Sequence, residues 1–135
     1  MTATTDVLDS PQAIRAHLDR LLASADFDLP GARFVLCDER SEVRAHFHIS
    51  HLPADVSEAD CAFVTSTFAE GLARESRDRA MVLALIRAGT EAVTVADGRW
   101  FRAAHQACRD HPVRLLGVHI VTPRGHREVV LDDAL

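Results

Sequence analysis

Lysine is absent from the 135 residues, and all fifteen basic side chains are arginine. This bias suits a GC-rich bacterial genome better than it suits any function. No cluster of arginines compensates, and the net charge is −5. The basic footprint that a nucleic acid or an anionic membrane surface requires is therefore missing. Cysteine is scarce too. Cys37, Cys61 and Cys108 are odd in number, far apart and set in apolar runs. That excludes a disulfide framework and a zinc knuckle, and the three read as reduced core residues. No run approaches the ~20 apolar residues of a membrane span, and "MTATTDVLDS" has neither a basic start nor an apolar stretch after it. A cytoplasmic protein is expected. Internal repeats, low-complexity segments and linkers are also lacking.

What is present is 47% apolar residues, enough for one core at this length. The expectation is a single domain over residues 10–131, with a polar tail at 1–9 and a short one at 132–135. "DSPQAIRAHLDRLLAS" places Ser10 as a cap and Pro11 at the first helical position, ahead of Ile14, Leu18, Leu21, Leu22 and Ala25 at helical spacing. "ARFVLCDERSEVRAHFHI" predicts a β-hairpin around "DERSE". Its second arm alternates Val43, Ala45, Phe47 and Ile49 against Arg44, His46, His48 and Ser50. "SEADCAFVTSTFAEGLARES" predicts a second helix capped by Ser57, with Cys61, Val64, Phe68 and Leu72 as its apolar stripe. "AMVLALI" reads as a strand buried on both faces. A loop through Gly89, a third helix through "GRWFRAAHQACRD", the strand "VRLLGVHIVTP", a turn at "RGH" and a strand "REVVL" complete the chain. The order α-β-β-α-β-α-β-β predicts an α/β (α+β) fold, one mixed sheet flanked by helices.

The segment 81–122 resembles the JAB/JAMM (MPN) metal-dependent isopeptidase family in its bacterial RadC-like branch. That family has an apolar strand ending His-x-His-Pro, then Ser-Gly, four residues, Ser-x-x-Asp, a helix, and a second strand bearing Asp-His. In that register Ala84 and Ile86 stand at the two histidines and Arg87 at the proline. Gly89 stands at the glycine, Thr94 at the serine, Asp97 at the aspartate, and Gly117-Val118 at the Asp-His pair. Upstream, "RFVLCDERSEV" is similar to the branch's Leu-Asp-x-Arg-x-x-Val strand and turn, which puts the family's catalytic glutamate near Pro30, where no acid stands. The resemblance implies an MPN-like fold whose zinc ligands and base are gone, since Ala84 and Ile86 offer no lone pairs and one carboxylate is too few. Thr94 and Asp97 are then left with a structural task, capping the third helix.

A second His-x-His, His46 and His48, precedes Ser57-x-x-Asp60. Its spacing is one residue too long for the family, and it reads as a solvated strand face; as a relocated zinc site it would recruit His51. His105 and Cys108, three apart on the third helix, form a weaker base and thiol pair. His119 is expected to hydrogen-bond locally. Of Trp100 and Phe101, one should be buried and the other exposed as a contact surface. The expected function is a catalytically inactive MPN-like domain without cofactor, serving as a protein-binding or scaffolding module and forming a homodimer. The alternative is a zinc-dependent hydrolase at His46, His48 and His51.

Overall fold

The computed structural model describes residues 6–50, 52–53, 55–75 and 78–131. The elements run α1 (Pro11–Ser24), β1 (Gly31–Cys37), β2 (Val43–Ser50), α2 (Glu58–Glu75), β3 (Arg79–Ile86), α3 (Val95–Asp110), β4 (Val113–Thr122) and β5 (Gly125–Glu128). They build one five-stranded mixed sheet in the order β2-β1-β3-β4-β5. Only β3 and β4 are parallel, as the intervening α3 crossover requires. The class and order expected from the sequence are those observed, with segment 80–86 in the central strand. Among the described residues no helix is long and apolar enough to cross a membrane.

The burial of β3 on both faces explains its unbroken apolar run. Met81, Leu83 and Leu85 pack with Phe34, Trp100, Ala104 and Ile120 in the core beneath α2 and α3. Val82 points the other way, with Leu8, Val35 and Cys37. Ala84 and Ile86 meet Leu18 and Leu21 of α1. Helix α1 starts where Ser10 Oγ accepts from the Ala13 amide at 3.1 Å and Pro11 follows. In the hairpin turn Asp38 Oδ1 accepts from the Arg40 and Glu42 amides at 2.9 and 3.0 Å, and Oδ2 accepts from Arg44 Nε at 2.9 Å.

Four local expectations are corrected. The alternation in β2 is broken by a bulge: Leu36 pairs with Ala45 but Cys37 with Val43, so Val43 packs on the α1 side, away from Ala45, Phe47 and Ile49. Residues 6–9 are not a tail. Val7 bridges to Glu42, the Leu8 amide donates to Ser41 O at 2.7 Å, and Leu8 is 1% exposed. The last strand is Gly125–Glu128, not "REVVL", because the two-residue turn at Pro123 and Arg124 starts the return earlier. Trp100 and Phe101 are both buried, since α3 is covered by the sheet on one side and α2 on another. The tails 1–5 and 132–135 lie outside the described residues.

Candidate functional site

Where β3 ends and α3 begins, a cavity of about 490 Å³ opens between Pro30, Leu52, Pro53, Val56, Ile86, Arg87, Asp97 and Trp100. Ile86, Arg87, Thr94 and Asp97 of the isopeptidase register all line it. Its one acid with a buried carboxylate is Asp97, 3% exposed. Both of its oxygens have partners: Oδ1 accepts from the Arg87 guanidinium and Oδ2 from the Thr94 amide at 2.8 Å. Thr94 Oγ1 accepts in return from the Asp97 amide at 3.1 Å, closing a capping box. Arg87 also donates to Ala92 O at 2.6 Å. Each oxygen of this carboxylate is already committed, one to the Arg87 ion pair and one to the helix cap.

Of the other residues in that register, Ile86 lines the cavity and Ala84 does not. Ala84 is wholly buried against α1, on the side of the sheet opposite α3. Gly89 turns the exposed loop after β3, with φ of +98° that suits glycine. A pair of imidazoles at 84 and 86 would therefore not both face Asp97.

The His46 and His48 pair does share one face of β2, yet the two rings are used differently. His48 Nε2 is 3.0 Å from Leu29 O. His46 stacks on His17 of α1, ring centres 5.3 Å apart, and burial followed by the His17 charge lowers its pKa. His51 lies outside the described residues. What the sequence did not signal is the partner of that stack: His17 is 7% exposed, its Nδ1 is 2.5 Å from Asp6 Oδ2, and Arg20 reaches the same carboxylate at 2.6 Å. The Arg20 hydrogen bond is the main cause holding the Asp6 carboxyl below its usual range. Helical spacing marks His17 as a neighbour of Ser10–Ile14, but nothing local ties it to Asp6, eleven residues earlier.

His105 is exposed and packs at a tilt on Phe101, with ring centres 4.3 Å apart. Burial pushes the Cys108 thiol up to about 12, so this pair lacks a usable thiolate at neutral pH. His119 contradicts the expectation of a local hydrogen bond. It is 6% exposed and neither ring nitrogen has a partner.

Compared with known protein families, with curated proteins and with solved structures, the chain matches none.

Proposed function

We propose that the protein is a non-catalytic protein-binding module on an MPN-like frame, acting in the cytoplasm as a homodimer joined through β2. Three unpaired thiols suit a reducing compartment. Engagement of both Asp97 oxygens argues against chemistry in the cavity. The observation that carries the binding reading is the outer edge of β2. This eight-residue strand ends the sheet: the Val43 amide at its start donates to Asp6 O at 2.8 Å, and beyond it the outer backbone groups have no partner among the described residues. Of the residues that blunt such edges it has Arg44 but neither lysine nor proline. Phe47 on that edge is 47% exposed and packs on Phe68 of α2, ring centres 5.3 Å apart. Further along α2, Phe63 is 73% exposed. An edge left largely unpaired beside an exposed aromatic is what strand addition uses.

The occupant to which we commit is a second copy. Antiparallel pairing in the register that sets Phe47 opposite its own counterpart keeps Ala45, Phe47 and Ile49 of both copies on one face, and continues the sheet to ten strands. Sedimentation velocity over a concentration series tests this: the wild type should dimerise, and Phe47→Arg should shift it to monomer with unchanged circular dichroism. A wild type that stays monomeric at high micromolar concentration, or a dimer that survives Phe47→Arg, would overturn the reading.

A further inference from the structure

At the opposite edge of the sheet, α1 and the β4–β5 hairpin enclose a cavity of about 270 Å³ with His119 in its wall. Strand register fixes what surrounds it. His119 lies directly opposite Glu128, and His126 stands two residues before Glu128 on β5, on the same face. The three side chains thus share one patch of sheet. His119 is more than nine-tenths buried, and both its ring nitrogens lack a partner. Such a group costs free energy unless something in the cavity satisfies it.

Two details say what that something is. Gly117 has no side chain, and a Cβ there would lie 2.5 Å from His119 Nε2 and 3.3 Å from Glu128 Oε2. The imidazole nitrogen and the carboxylate oxygen therefore flank the same space, kept open by the glycine. Further, His126 Nε2 is 2.8 Å from Asp19 Oδ1. That is the arrangement in which a carboxylate holds one imidazole nitrogen and aims the other at a metal. We propose that His119, His126 and Glu128 form a binding site for a zinc-class divalent ion, with Asp19 orienting His126.

Two imidazoles and one carboxylate are a zinc donor set, and ligands at i and i+2 of one strand with a third on its neighbour suit a pleated sheet. Among the described residues, no three His, Cys, Asp or Glu side chains already converge as a metal site. Binding therefore requires side-chain rotation at Glu128, while His126 keeps its bond to Asp19. Glu128 is exposed and sits on a four-residue edge strand, where such rotation is cheap. Arg15 is the cation in the cavity lining and is exposed. Glu128 and Asp19 more than offset it.

Cobalt(II) titration of protein purified without an affinity tag tests the proposal, because a tetrahedral site gives an intense visible band that zinc then bleaches. One equivalent should bind. His119→Ala should abolish the band, Glu128→Gln should weaken it, and Asp19→Asn should weaken binding about 10–100-fold, as second-layer partners of metal ligands do. A water-filled cavity would give no such response to Asp19. The His46→Ala, His48→Ala double variant should bind as the wild type does. The proposal fails if the wild type gives no band, if the band survives His119→Ala, or if the double variant loses it. Should His119→Ala not fold, Glu128→Gln and Asp19→Asn decide: unchanged affinity in both would overturn the site. Because β2 and β5 are opposite edges of the sheet, this result is independent of the dimer.

Discussion

Replacing Asp97 by alanine removes two supports at once, and their sizes can be separated. The first is the returning half of the capping box, Asp97 Oδ2 accepting from the Thr94 amide at 2.8 Å. Loss of a cap of this kind costs about 1 kcal/mol. The second is the ion pair with Arg87. Breaking a fully buried pair costs about 3–5 kcal/mol, and an exposed one under about 1. The Asp97 side chain is 5% exposed but that of Arg87 is 23%, and the guanidinium keeps its bond to Ala92 O. Water can therefore partly re-solvate Arg87 after the loss, and about 1–2 kcal/mol is the reasonable share. The sum is about 2–3 kcal/mol. At about 4 °C per kcal/mol for a chain of this size, the melting temperature should fall by roughly 8–12 °C.

The assay is urea unfolding followed by Trp100 fluorescence. Trp100 is the only tryptophan, is 3% exposed, and lines the same cavity. Asp97→Asn keeps an acceptor for the Thr94 amide but loses the charge, so it should cost only the ion-pair share. A cycle with Arg87→Ala should show coupling of about 1–2 kcal/mol. The proposed dimerisation through β2 should not change in any of these variants. A cost below about 1 kcal/mol for Asp97→Ala, or no coupling to Arg87, would refute the account. Either would leave the carboxylate free for another role.

The sequence announced the elements well where a period or a cap encodes them, and poorly where distant segments meet. The run 81–86 could be placed in the sheet centre because only a doubly covered strand tolerates apolar residues on both faces. Thr94-x-x-Asp97 announced its own helix start. The same motif could not announce Arg87, which stands ten residues away and pairs only because the loop through Gly89 turns the chain back. The β2 alternation misplaced Val43 because one bulged residue reverses the parity of everything before it. Trp100 and Phe101 are adjacent on a helix, so one was expected outside. Two covering layers, α2 and the sheet, give α3 a buried arc wide enough for both. Of the residues of the proposed metal site, the sequence singled out His119 alone, and not His126 or Glu128. Their shared face depends on the β4–β5 register, and the expected strand "REVVL" would have left His126 in a turn.

Two further outcomes follow from burial. Cys37 and Cys61 are fully buried and burial raises their thiols to about 12 and 11. Both should therefore resist Ellman's reagent in native protein and react at once in denaturant; rapid native labelling of either would contradict the core packing. The pH dependence set by His119 runs in one direction. Its pKa falls from 6.5 to about 4 on folding, chiefly through burial. Above pH 6.5 the ring is neutral in both states and contributes no slope. Between 6.5 and 4 the unfolded chain takes up a proton that the folded chain refuses, so stability is lost as the pH falls through that window. Below 4 both states are protonated and the loss is complete. The shift corresponds to about 3 kcal/mol. Urea unfolding of wild type and His119→Gln at a series of pH values isolates this contribution, since other titrating groups are common to both. The wild type should lose about 3 kcal/mol relative to the variant between pH 6.5 and 4, and parallel curves would show that the ring is solvated rather than buried. Saturating zinc should steepen the wild-type curve, because the ion binds only the neutral ring and only the folded chain. The His119→Gln curve should not respond.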